Sequence, residues 1–139
     1  MRTLVVLGLL ASSTAAATSI TPTTEVDDFT NNGNCTLREA ITAATSNAAR
    51  DTCPAGSVND ADVIELGALT YVIALTGVED ANAGGDFDVV SGSGELVING
   101  AGASRTIISG ATLDRIFHVG AAVSLTLRGL TLTQGLQGA

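Results

Sequence analysis

Val97-Ile98-Asn99-Gly100 and Thr126-Leu127-Arg128-Gly129 are two short runs that each close on glycine, set 129 - 100 = 29 positions apart. Between them lie Thr106-Ile107-Ile108 and Ile116-Phe117-His118-Val119, so one interval holds three strand-like segments. Runs rich in β-branched residues or Leu, separated by Gly, Asn, Asp or Ser, read as strands bounded by turns. Three such strands per coil, with each coil stacked on the next, is the logic of a parallel β-solenoid. Its inward Ile, Leu and Val form the core, and its Gly, Asn and Asp make the corners.

Outward from this interval the same pattern continues. Asp62-Val63-Ile64-Glu65-Leu66, Tyr71-Val72-Ile73-Ala74-Leu75 and Phe87-Asp88-Val89-Val90 precede it, and residues 123–127 and 130–132 extend it. No helical stretch of useful length follows Pro54, which disfavours alternating βαβ architecture. A sandwich, a barrel and a solenoid remain open on patterning alone, and the internal similarity favours the solenoid.

Upstream of residue 62 the period changes. Leu37, Ala40, Ile41, Ala44 and Ala48 recur at three- and four-residue steps, one face of a helix, while Arg38, Thr42, Thr45 and Ser46 fall largely elsewhere. Thr36-Leu37-Arg38-Glu39 fits an S/T-x-x-E capping box, with Thr36 as N-cap and Glu39 reaching back. Pro54 closes the segment, because helical geometry is disfavoured just before proline.

The 139 residues carry 6 Lys+Arg against 14 Asp+Glu, for a net charge of -8. Binding to nucleic acid would require a clustered basic face, and attraction to an anionic membrane surface would too; neither is present. At 45% hydrophobic and 14% charged, the composition is that of a folding chain rather than a disordered one. Residues 1–17 read as a secretory signal: Arg2 is the positive end, residues 4–10 are the apolar stretch, and Ala15-Ala16-Ala17 is the cleavage site. The apolar stretch is far short of the roughly 20 residues that span a bilayer. A buried N-terminal strand or helix is the competing reading. Export makes a Cys35–Cys53 disulfide the expected state of the two cysteines, with two buried thiols as the alternative. A tetrahedral metal site is a poor competitor, since the lone His118 is far away in sequence.

Cys35-Thr36-Leu37-Arg38-Glu39-Ala40-Ile41 closely resembles the Cys-Ser-Leu-Arg-Glu-Ala signature of the CSLREA domain, which sits near the N-terminus of exported bacterial proteins. The resemblance runs in order through the strand segments and covers almost all of residues 25–135. Thr36 stands where the signature has Ser, a change that a capping role tolerates. The resemblance implies a mainly β fold: a right-handed parallel β-helix with an N-terminal capping α-helix. The domain organisation it suggests is a signal peptide at 1–17, a disulfide-tied cap at 18–61, and β-helix coils at 62–139. Similar proteins continue for more coils and often end in a surface-anchoring segment, so the chain reads as truncated or as a minimal version. An open last coil would invite end-to-end association.

For chemistry, the acidic loop of Glu79, Asp80, Asp86 and Asp88 is the best ligand candidate, since clustered carboxylates are the hard oxygen donors that Ca²⁺ prefers. Its spacing is not that of an EF-hand, and Asp and Gly are also ordinary turn residues. His118 reads as a solvent-facing strand residue, Asp114 and Arg115 as a turn ion pair, and Arg38 and Glu39 as structural. No nucleophile pattern flanks the histidine, and with no Trp and one Tyr there is little platform for sugar rings. The expected protein is a secreted or cell-surface, non-enzymatic module with a structural or adhesive role and an extracellular protein or glycan as partner. A calcium-dependent carbohydrate-active module and a non-functional gene fragment are the alternatives.

Overall fold

The computed structural model describes residues 17–92 and 94–137, so the leader assigned to residues 1–17 lies outside the described residues except for Ala17. Over these residues the chain is mainly β, with one short helix. In chain order come β1 (Ser19–Ile20), α1 (Leu37–Ser46), β2 (Asp62–Glu65), β3 (Thr70–Val72), β4 (Phe87–Val89), β5 (Glu95–Asn99), β6 (Ile107–Ser109), β7 (Phe117–Val119), β8 (Ser124–Arg128) and β9 (Thr131–Thr133). They form three open sheets, ordered β1-β2-β5-β8, β3-β6-β9 and β4-β7. Every strand pair is parallel, and the one antiparallel contact among the described residues is an isolated bridge between Arg50 and Cys53. Parallel pairing throughout, with no sheet closed on itself, excludes the antiparallel sandwich and the barrel.

The 29-residue similarity is a strand register. Val97 lies opposite Thr126, Ile98 opposite Leu127 and Asn99 opposite Arg128. Because successive side chains alternate between the two faces of a strand, one face stacks like on like. Ile20, Ile64, Ile98 and Leu127 form one column, Tyr71, Ile108 and Leu132 a second, and Phe87 and Phe117 a third, with ring centroids 5.6 Å apart. Ile20, Ile64, Ile98 and Ile108 are fully buried, and the other face of β3 is left exposed at Thr70 and Val72. β3 stops at Val72 rather than continuing to Leu75. Ile73 still donates to Ser109, but the amides of Ala74 and Leu75 donate to the Asp27 carboxylate at 2.9 and 3.0 Å.

The glycines that close the two similar runs have a steric reason. Gly100 donates to the Arg128 carbonyl and Gly102 to the Gly129 carbonyl, both at 2.8 Å, so one turn rests directly on the other. A Cβ at Gly100 would collide with the Gly129 carbonyl oxygen and lie 2.8 Å from both the Thr106 and Leu130 β-carbons. One at Gly129, whose φ is +61°, would lie 2.7 Å from the Gly100 oxygen. All three obstacles at Gly100 are backbone or β-carbon atoms that cannot swing away, so Gly100→Ala should destabilise the chain by about 1–3 kcal/mol. Urea denaturation checks this, and a change below about 0.5 kcal/mol would mean that the turns are not in contact.

Candidate functional site

The residues with unusual chemistry gather where α1 meets the acidic loop and β4. Helix α1 starts as its capping box requires: the Thr36 hydroxyl accepts from the Glu39 amide at 3.1 Å and the Glu39 carboxylate accepts from the Thr36 amide at 3.1 Å. The Thr36 hydroxyl also donates to the Asp28 carbonyl at 3.0 Å. The helix ends at Ser46, short of the apolar periodicity that reaches Ala48. Asn47 takes a left-handed φ of 53° and caps the end, while Thr45 and Ser46 bond back to the Ile41 and Thr42 carbonyls. Pro54 is not the terminator. Cys35 and Cys53 are disulfide-bonded and buried, with Cα atoms 5.0 Å apart, inside the ordinary range for a cystine.

Leu37, Ala40, Ile41 and Ala44 are buried as the periodicity requires, but so are Ala43, Arg38 and Glu39. The polar side assigned to Arg38 does not face water. Burial pushes the Glu39 carboxyl above its ordinary range, against the hydrogen bonds from Thr36, and its Oε1 has no partner. Arg38 is fully committed. Its Nε and Nη2 form a forked pair with Asp27 at 2.7 and 3.0 Å. Nη2 also donates to the Gly85 carbonyl at 2.8 Å, and Nη1 donates to the Asp86 carbonyl at 3.0 Å and to Asn82 Oδ1 at 3.4 Å. A guanidinium has five N–H donors, and all five are used. The Phe87 ring lies 4.8 Å from the guanidinium carbon. Arg38 therefore joins α1, the segment before it and the acidic loop at one point.

The four carboxylates of that loop divide among three tasks. Glu79 accepts from the Ala81, Ala83 and Gly84 amides at 2.6, 2.7 and 2.8 Å, pinning its own loop. Burial works to raise its pKa, but those amides outweigh burial and hold the carboxyl below the ordinary carboxylate range. Asp86 pairs with Arg115, which donates from Nε; the Asp86 hydrogen bond holds the Arg115 guanidinium above its usual value. Arg115 is thus not the partner of Asp114, whose carboxylate instead accepts the Arg115 amide at 2.7 Å.

Asp80 and Asp88 converge on His118. Each places an Oδ1 3.0 Å from His118 Nδ1, and the three side chains are exposed, buried and half-buried respectively. The reading of His118 as a solvent-facing residue is incomplete, since its Nδ1 is engaged. Alternation along β7 sends Phe117 inward and His118 outward, and the β4–β7 register sets Asp88 directly opposite. Asn82, at a left-handed φ of 59°, braces Asp88 by donating its amide to Asp88 Oδ2 at 3.0 Å and accepting the Asp88 amide at 3.1 Å. Burial raises the Asp88 carboxyl above its ordinary range despite these bonds and the one to His118.

Sequence reasoning missed Asp27, and it missed the bond between Arg38 and Asn82 of the acidic loop; the two meet Arg38 from 11 and 44 positions away, with no local motif to announce it. It also missed the place of His118 in the acidic cluster; only the 30-residue register between β4 and β7 could have revealed it. No protein-family model, no curated protein and no solved structure matches the chain. No described helix is long and apolar enough to cross a membrane.

Proposed function

We propose that the three parallel sheets are walls of a right-handed parallel β-helix whose N-terminal end is sealed by α1, in an exported, non-enzymatic protein that builds or presents a surface outside the cell. The observation that carries this reading is the employment of the segment Cys35 to Ala40. Cys35 is in the disulfide, Thr36 and Glu39 cap the helix, Leu37 and Ala40 are buried, and Arg38 holds the cap to the loop before β4. A solenoid must close its hydrophobic end, and a helix with an apolar face does that. The same segment carries the resemblance to the CSLREA domain, so its residues make sense as a cap rather than as a catalytic set.

Export fits the disulfide. It also fits the position of β1: the Thr18 carbonyl accepts from the Val63 amide at 2.9 Å, so cleavage after Ala17 would leave the first ladder bond intact. The test has two parts. Expression of the precursor with its leader should release a protein that begins at Thr18 and has no free thiol. Incubating that protein with acidic and neutral polysaccharides should yield no cleavage products. Retention in the cytosol with reduced cysteines would overturn export. Polysaccharide cleavage abolished by Asp86→Asn or Asp88→Asn would overturn the non-enzymatic role.

A further inference from the structure

We propose that Asp80, Asp88 and His118 form a binding site for a divalent first-row transition metal ion, with Zn²⁺ as the best fit. The inference is independent of the proposed envelope role. It also departs from the calcium expectation for the acidic loop, because Glu79 and Asp86 are committed elsewhere and the third converging donor is an imidazole nitrogen. Imidazole suits Zn²⁺ and its neighbours, whereas Ca²⁺ takes oxygen ligands.

The geometry is that of donors arranged around a common centre. One ligand atom from each side chain lies within 4.8 Å of the other two, and Nδ1 is 3.0 Å from both carboxylate oxygens. Metal–ligand distances of about 2.0–2.2 Å put neighbouring donors about 3 Å apart at right angles and about 3.4 Å apart in a tetrahedron. The hydrogen-bonding alternative is poorer, since a single Nδ1–H cannot point along the line to two oxygens at once. One cation between the three donors satisfies both carboxylates.

The surroundings favour a cation. The two nearby guanidinium groups are spent, Arg38 on Asp27 and Arg115 on Asp86. Asp88 is fixed by Asn82 through its other oxygen, the kind of outer support that orients a metal-binding carboxylate. Beside the two carboxylate donors runs a groove of ≈ 180 Å³ lined by Thr42, Thr45, Asp80, Asp88 and Ser91, which would give an ion a way in and leave room for water on it. Three protein donors with an open position also describe sites where a metal holds water or an outside ligand. The ion would link the loop before β4 to β7, tying two neighbouring strands.

Tag-free full-length protein, dialysed against a chelator, should bind one Zn²⁺ per chain by isothermal titration, with a Tm raised by several degrees. Ca²⁺ at the same concentration should do neither. His118→Ala and Asp80→Asn should each weaken Zn²⁺ binding at least tenfold. Asp80 is 71% exposed at its side chain, so its variant should keep the wild-type circular dichroism spectrum and metal-free Tm. Co²⁺ in place of Zn²⁺ should give a visible d–d absorption that both variants lose. Absence of saturable Zn²⁺ binding would overturn the proposal, as would Zn²⁺ binding that neither variant weakens, or tighter binding of Ca²⁺ than of Zn²⁺.

Discussion

Replacing Arg38 with Met should remove about 3–5 kcal/mol of folding stability, a large share of the roughly 5–15 kcal/mol that holds a domain of this size together. Two effects add. The Asp27 carboxylate, only 3% exposed, would lose its forked partner, although the Ala74 and Leu75 amides would still donate to it. The Gly85 and Asp86 carbonyls would lose their donors in a buried place, at about 1–3 kcal/mol for each group left unsatisfied. Met fills much of the aliphatic volume, so the loss is not chiefly a cavity. Arg38→Lys should recover only a minor part, since an ammonium has three donors and cannot form the planar fork. Asp27→Asn on the Met background should cost less than on the wild type, because the two residues act as a unit. Urea denaturation of the four proteins gives the cycle. A loss below about 1 kcal/mol for Arg38→Met would show that helix α1 is held by its apolar face alone.

How far the fold can be read from the sequence depends on loop length. The β5–β8 pair is visible as internal similarity because its partners lie 29 positions apart and both runs end on stacked glycines. The other ladders beyond β1–β2 pair Asp62 with Leu96, Thr70 with Ile107, Phe87 with Phe117, and Ile107 with Thr131. Their spacings of 34, 37, 30 and 24 positions hide the repeat. Alternation along each strand found the inward residues, but ladder hydrogen bonds set the ends. That is why Leu75, whose amide goes to Asp27, lies outside β3. β1 was not visible: a strand of two residues carries no period. The capping box and the cystine were legible because their signals are local or limited by residue supply.

The candidate site was half legible for a related reason. Four carboxylates within ten residues announce a charged loop, but which of them stay free is decided by partners far away in sequence. Asp86 meets Arg115 from 29 positions away, while Asp88 meets His118 across 30. Arg38 was placed on the polar side of α1 because a helical wheel knows nothing of the carbonyls at Gly85 and Asp86. A charged residue is buried only where the remaining chain supplies partners, and no local window contains them.

Removing the disulfide with Cys35→Ala/Cys53→Ala should lower stability by about 3 kcal/mol and the Tm by about 10 °C. The bond joins residues 18 positions apart, and in the chain-entropy argument its loss mainly enlarges the unfolded ensemble. The folded state should change little, because other bonds hold the same two segments. Asp51 accepts from the Asn32 and Gly33 amides at 2.8 and 2.9 Å, Arg50 and Cys53 exchange backbone hydrogen bonds, and the Arg50 guanidinium lies 4.0 Å from the Phe29 ring centre. The double variant should therefore keep the native circular dichroism spectrum at low temperature while unfolding at lower urea. Its m-value should rise slightly, since an uncrosslinked chain exposes more surface on unfolding. Alanine at both sites avoids burying a new hydroxyl at positions only 1% exposed. A spectrum already unfolded in buffer would make the bond a requirement for folding of the segment around α1. A stability loss under about 1 kcal/mol would leave the Asp51 and Arg50 contacts as the true fastening of these loops.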